Sequence, residues 1–152
     1  MKYKKIIRYF ICLLPWFISS IIFKVDTNYY KSLNLPFFAP PSILFPIVWT
    51  ILYILIAASI YIISYKDNID SNYKISLLVN YLSNQLYTLC FFVIKNNFLA
   101  LCDALIVFIS SLYLYLESGK YDDRSKKLLI PYIIWNLFAT ILSISIFILN
   151  KA

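Results

Sequence analysis

Residues 29–61 read YYKSLNLPFFAPPSILFPIVWTILYILIAASIY, and the rest of the chain is organised around them. The stretch opens as a loop carrying Pro36, Pro40 and Pro41, then becomes almost wholly apolar. Proline fixes φ and lacks a backbone donor, so the segment 36–41 is expected to be stiff and non-helical. Ser42 offers an N-cap, and Pro46 falls early enough to sit in the first turns of a helix. From there Phe45, Trp49 and Tyr53 recur at i, i+4 and i+8, which stacks three rings on one helical face. Such rings either fill the core of a membrane bundle or wall a pocket beneath the proline loop. Spacing alone leaves both readings open.

The remaining sequence has the same character. A chain of 152 residues is one domain in length, so 1–152 reads as a single unit. It is 62% hydrophobic and 19% aromatic, with one glycine, and its mean hydropathy is +0.77. A water-soluble fold of this size has no interior large enough to hide so much apolar surface. The hydrocarbon core is ~30 Å thick and needs ~20 apolar residues per helix. Five segments answer to that description, at about 6–23, 42–64, 75–94, 98–116 and 128–149, each bounded by charged or polar residues. The expected fold is therefore an all-α integral membrane protein, a bundle of five transmembrane helices.

The first span follows Lys2, Lys4, Lys5 and Arg8 and so imitates a signal peptide. No small-x-small cleavage site follows it and four more spans do, which keeps it as a helix. Pro15 is expected to kink it, and Ser19 and Ser20 offer small surfaces for close helix contact. Lys2, Lys4, Lys5, Arg8, Lys66, Lys74, Lys120, Arg124, Lys126 and Lys127 fall on the N-terminal side of the bundle. Only Lys24, Lys31, Lys95 and Lys151 fall on the other. The positive-inside rule then puts the N-terminus in the cytoplasm and the proline loop outside. Topology and anionic headgroups account for the net charge of +7 without nucleic acid.

The third span is polar in its middle. Asn80, Asn84, Tyr87 and Phe91 recur at i, i+4, i+7 and i+11, again on one face. Unpaired amides are costly in hydrocarbon, so Asn84 and Gln85 are expected to face protein or a cavity. On physics alone, glue between helices and contact with a ligand are equal readings. The fourth span holds an intramembrane carboxylate, Asp103, a functional candidate by default. It also lies within two turns of the helix start, where interface solvation or a capping bond serves equally well.

Several chemistries drop out. Cys12, Cys90 and Cys102 lie in apolar helices, there is no C-x-x-C, and there is no histidine. Structural zinc, c-type haem attachment and a Cys–His nucleophile are excluded or disfavoured. One glycine makes no phosphate-cradling loop, and no pair of catalytic carboxylates lies in the spans. No fixed cofactor or metal is expected.

The residues resemble the TspO/MBR family, the translocator and tryptophan-rich sensory proteins, in their bacterial form. The family pattern W-Y-x-x-L-x-K-P-x-W-x-P-P, followed by F-x-P-V-W-T-x-L-Y, is met by Tyr30, Leu33, Pro36, Pro40, Pro41, Phe45, Trp49, Thr50, Leu52 and Tyr53. Pro46 comes one place early, and Tyr29, Leu35 and Phe38 replace the pattern's Trp, Lys and second Trp. The family's L-N-x-x-W-x-x-x-F-F resembles Asn84, Phe91 and Phe92, with Tyr87 standing for the Trp; A-L-A-D resembles the sequence ending at Asp103. The last span matches L-L-x-P-Y-x-x-W-x-x-F-A-x-x-L through Pro131, Tyr132, Trp135, Phe138, Ala139 and Leu142. After Tyr132 no cation follows until Lys151, so the cholesterol-recognition pattern is absent.

The resemblance implies five helices around a ligand pocket closed by the proline-rich first loop, usually in a homodimer within a bacterial plasma membrane. It implies binding of tetrapyrroles, notably protoporphyrin, and of hydrophobic drugs such as benzodiazepines, with porphyrin as ligand rather than fixed cofactor. Light-dependent porphyrin degradation is known in some relatives, and the resemblance implicates Trp49 and Trp135 in it. Carried over by position, the ligand would meet Tyr30, Pro40, Trp49, Tyr53, Asn84, Tyr87, Ala104, Val107, Trp135 and Ala139. A flat macrocycle stacked on indoles is physically sensible, since burying its face is worth ~25 cal/mol per Å². Two other classes remain open at this point: a small-molecule transporter or exporter subunit, and a structural partner of other membrane proteins.

Overall fold

The computed structural model describes residues 2–151, and among them every regular element is helical. Met1 and Ala152, at the two ends of the 1–152 domain, lie outside the described residues. The chain begins as α1 (Lys2–Leu13), tightens into a 3₁₀ turn over Leu14–Phe17, and resumes as α2 (Ile18–Ile22). A short α3 (Thr27–Ser32) interrupts the first loop. Then come α4 (Leu44–Ile63), α5 (Ser71–Thr88) with a π-helical extension over Leu89–Val93, α6 (Asn97–Gly119), α7 (Asp123–Leu128) and α8 (Ile130–Leu149).

Among the described residues, four stretches are long and apolar enough to cross a bilayer: Tyr3–Ile22, Leu44–Ile63, Asn97–Gly119 and Asp123–Leu149. α5 has the length, but Asn80, Asn84 and Gln85 dilute its apolar character. The bundle is inverted relative to a soluble protein. Ser59, Ser111, Ser125, Asn80 and Asn136 are buried, whereas Ile11, Ile21, Ile109, Ile134 and Ile148 are each more than 60% exposed. Apolar side chains outside and polar ones turned inside suit a hydrocarbon solvent.

Boundaries follow local chemistry, and several differ from the sequence expectation. α4 starts at Leu44 with Ile43 as its N-cap and no side-chain cap, so Ser42 does not cap it. Instead Leu44 N bonds Pro41 O at 3.0 Å, closing a turn that delivers the chain into the helix. α5 begins at Ser71, earlier than expected, because the Asp70 carboxylate accepts from Tyr73 N at 2.9 Å. α6 begins at Asn97 because Asn96 caps Phe98 N and Leu99 N, both at 3.0 Å. The fifth segment is preceded by the separate helix α7, capped by Asp122, and Pro131 then fits the first turn of α8. The proline segment 36–41 is non-helical as its composition demands. The helix α3 before it was not expected; Asp26 nucleates it by accepting from Asn28 N and Tyr29 N.

The first span tightens into a 3₁₀ turn at Pro15, and α5 bonds to it there. Tyr81 OH donates to Pro15 O at 3.2 Å, Gln85 Nε2 to Trp16 O at 3.4 Å, and Ser19 N to Gln85 Oε1 at 2.8 Å. α1 packs against α4, α2 against α5, and α6 lies between α5 and α8. The interior has two apolar clusters. One surrounds Trp16, Ile56, Leu114 and Tyr132. The other, beneath the first loop, surrounds Tyr30, Phe91, Leu142 and Ile146.

Candidate functional site

A cavity of about 440 Å³ draws its walls from both clusters. α4 supplies Phe45, Trp49 and Tyr53, the three rings the spacing put on one face. α5 and its π-helical turn supply Asn84, Tyr87 and Phe91, and α6 supplies Ala104 and Val107. α8 supplies Trp135 and Ala139, and Tyr30 reaches in from α3. Pro40 is not on the wall. Its carbonyl accepts from Tyr30 OH at 3.0 Å, so it holds a wall residue in place. The other nine residues carried over by position come together around one space.

The two tryptophans of the wall belong to separate groups of rings. The Trp49 ring centroid lies 5.5 Å from Tyr53 and 6.2 Å from Tyr132. Trp135 lies 6.1 Å from Phe45 and 5.3 Å from Phe138. These tilted and edge-on contacts hold each aromatic ring against at least one other. Ala104 and Ala139, being small, leave the space open between α6 and α8.

Asn84 is both glue and wall. Its oxygen accepts from Tyr53 OH at 3.0 Å and its Nδ2 donates to Tyr132 OH at 3.2 Å. Tyr132 OH in turn donates to Asn80 Oδ1 at 3.1 Å, and Asn80 Nδ2 donates to Ser110 Oγ at 3.0 Å and Val107 O at 3.2 Å. One ordered chain of bonds thus joins α4, α5, α6 and α8. A carboxamide has two N–H donors, so one remains on Asn84 for another partner. Tyr87 is tied to α8 through a 3.1 Å bond between its hydroxyl and that of Ser143.

The sequence reading passed over Asn136. It lines the cavity, is 2% exposed, and its Nδ2 has no partner. The indole Nε1 of neighbouring Trp135 is likewise buried without an acceptor. The signal was available: a lone amide amid an apolar span, the same criterion that singled out Asn80 and Asn84. Asp103 is different. It is buried with Oδ2 unpartnered, lies off the cavity wall, and caps nothing, since Asn96 caps α6. A capping role for Asp103 is therefore overturned.

The first loop is tied down at both ends. Asp26 Oδ2 meets Lys95 Nζ at 3.0 Å, and Tyr29 OH donates to Asn97 Oδ1 at 3.1 Å. The hydrogen bond from Lys95, helped by the N–H of Tyr29, holds the Asp26 carboxyl below the usual carboxylate range. Lys95 adopts φ 56° in doing so. At the other end Asn34 N donates to Asn150 Oδ1 at 2.9 Å, and Asn150 Nδ2 returns a bond to Asn34 O at 3.0 Å.

Comparison with known proteins agrees with this architecture. The tryptophan-rich protein TspO of Bacillus cereus is 36% identical over 151 residues, 99% of each chain. The membrane protein YtaB of Bacillus subtilis is 35% identical over 136 residues, 87% of this chain and 86% of its own. The tryptophan-rich protein TspO of Archaeoglobus fulgidus is 32% identical over 129 residues, 81% of this chain and 80% of its own. The TspO/MBR family model matches residues 9–149. With that match across nearly its whole length, the chain belongs to the TspO/MBR family.

Proposed function

We propose that this membrane protein is a receptor for flat, largely apolar ligands, with tetrapyrroles such as protoporphyrin as the leading class and hydrophobic drug-like molecules as the second. The observation that carries this reading is the convergence of Trp49, Trp135 and Asn84, from three helices, on a single cavity. Its volume falls within the ~300–1,000 Å³ of small-molecule sites, which are mostly apolar with a few fixed polar groups. In this reading α5 is the fifth membrane span, its amides turned inward, and the first loop is the lid. The N-terminus is cytoplasmic, as the lysine and arginine distribution supports. The functional unit is a homodimer in the bacterial plasma membrane. Light-driven breakdown of bound porphyrin, with Trp49 and Trp135 as electron donors, is the finer part of the proposal.

Titration of the purified chain with protoporphyrin tests it. Quenching of indole fluorescence, weakened in Trp49→Phe and Trp135→Phe, supports the reading. Quenching indifferent to both variants overturns the site. Mass detection of products after illumination decides the photochemical part. Ligand accumulation in sealed vesicles would instead reassign the protein as a carrier, and no ligand effect at all would leave a structural partner.

A further inference from the structure

We propose that the seam between α2 and α4 is a lateral doorway, through which a ligand dissolved in the bilayer passes into the cavity. The proposal rests on the ligand-binding reading above and adds the route. Its origin is the 3₁₀ turn at Pro15. Beyond that turn, α2 is held to α5 by the 2.8 Å bond from Ser19 N to Gln85 Oε1. α1 stays against α4, but the close partner of α2 is α5.

The cavity reaches the surface along this seam. Ser20, Val25 and Thr27 on one side, and Ile43, Pro46 and Thr50 on the other, line the cavity and are also exposed. By contrast Asn84, Ala104, Val107, Leu142 and Ile146 line it from buried positions. Thr50 stands six residues beyond Leu44, which at ~1.5 Å per residue is about 9 Å along α4. That position lies inside the apolar stretch Leu44–Ile63. Ile47, Ile51 and Ile54 on α4, and Ile18, Ile21 and Ile22 on α2, flank the opening with exposed apolar surface.

The rim suits an apolar traveller. Thr50 Oγ1 donates to Pro46 O at 2.7 Å and Ser20 Oγ to Phe17 O at 2.8 Å, so both hydroxyl protons are spent within their own helices. Both side chains are small where bulk would close the gap. Entry from water through the loop would instead disturb the Asn34–Asn150 and Asp26–Lys95 ties.

Two experiments test the doorway. In proteoliposomes loaded with protoporphyrin, Ser20→Phe, Thr50→Phe and the milder Thr50→Leu are expected to slow association and dissociation together, by about tenfold for the double Phe variant. Rates that stay unchanged in these variants, while Asn150→Ala accelerates them, would overturn the route and leave the binding reading intact. The second experiment uses no ligand. In the Trp16→Phe/Trp135→Phe chain, Trp49 is the sole indole, and phospholipids with dibrominated acyl chains are expected to quench it. Thr50→Phe is expected to restore the emission. A Trp49 that brominated chains never quench would overturn the doorway even if porphyrin binds.

Discussion

Asn84 Nδ2 donates to the Tyr132 hydroxyl at 3.2 Å, and that bond couples the cavity wall to the polar interior of the bundle. Because Tyr132 in turn donates to Asn80 at 3.1 Å, the pair orients every hydroxyl and amide along the chain of bonds. Asn84→Leu removes the acceptor of Tyr53 and the donor to Tyr132 at once. The expected loss is about 1 kcal/mol, the scale of buried interhelical bonds in membranes. Tyr132→Phe is expected to cost a similar amount, and the double variant less than the sum, because both singles break the same bond. Denaturant titration of the four chains in detergent measures the cycle; strict additivity would deny the coupling.

Asn136 predicts the opposite sign. Its Nδ2 is already without a partner at 2% exposure, so Asn136→Leu discards an unmet donor without breaking a bond to it. Stability is expected to hold or rise by about 1 kcal/mol. If the amide serves a ligand, the same variant weakens a porphyrin bearing propionates and spares an all-alkyl porphyrin. Melting temperature and fluorescence titration read the two effects separately.

Tying the first loop to the end of α8 gives a kinetic prediction. Asn150→Ala deletes the bonds to Asn34 N and Asn34 O but touches no packed helix face. Amide hydrogen exchange over residues 33–41 is expected to accelerate, while α6 and the middle of α8 remain protected. Uniform acceleration across the bundle would show that the tie supports the whole fold.

Asp122 sets the acid limit of the turn between α6 and α7. Hydrogen bonds from Arg124 and from Lys66 hold its carboxyl far below the usual carboxylate range. A depressed folded value means the stabilisation is complete above the unfolded pKa of ~3.9 and fades as pH falls toward the folded one. Melting curves are therefore expected to be flat in this contribution from neutral pH down to about 5, with loss only in stronger acid. Asp122→Asn is expected to lower the neutral-pH melting point and abolish that acid-side decline.

Gly119 offers a gain. It ends α6 without a positive φ, and a Cβ there would meet only the Lys126 side chain, Cδ at 2.8 Å, which must shift from its place beside the Tyr115 ring. Gly119→Ala is expected to stabilise by about 0.5 kcal/mol through the unfolded chain. Thermal denaturation checks the sign.

Much of this architecture was legible in the chain. Long apolar runs announced the spans, and the 45–49–53 spacing put three rings on the face that meets the cavity. Gathering residues from α3, α5, α6 and α8 around that face required the family resemblance, because periodicity describes one helix at a time. α3 escaped notice because its six residues carry little apolar pattern and its cap, Asp26, lies among loop residues. Positive φ fell on Asn68 and Lys95 instead of the lone glycine, where ion pairing and turn geometry outweighed backbone preference. The π-helical turn at Leu89–Val93 left no mark in composition at all.

The 3₁₀ turn at Pro15 makes two distant positions, Tyr81 and Gln85, epistatic to it. An uninterrupted α-helix would pair Pro15 O, which now accepts from Ile18 N, with Ser19 N, taking that donor from Gln85 Oε1 and shifting the acceptor of Tyr81 OH in a medium that offers no substitute. Pro15→Ala should accordingly be poorly tolerated alone and be rescued by Tyr81→Phe with Gln85→Leu. The proline and the two polar side chains across from it are then inherited as one trait.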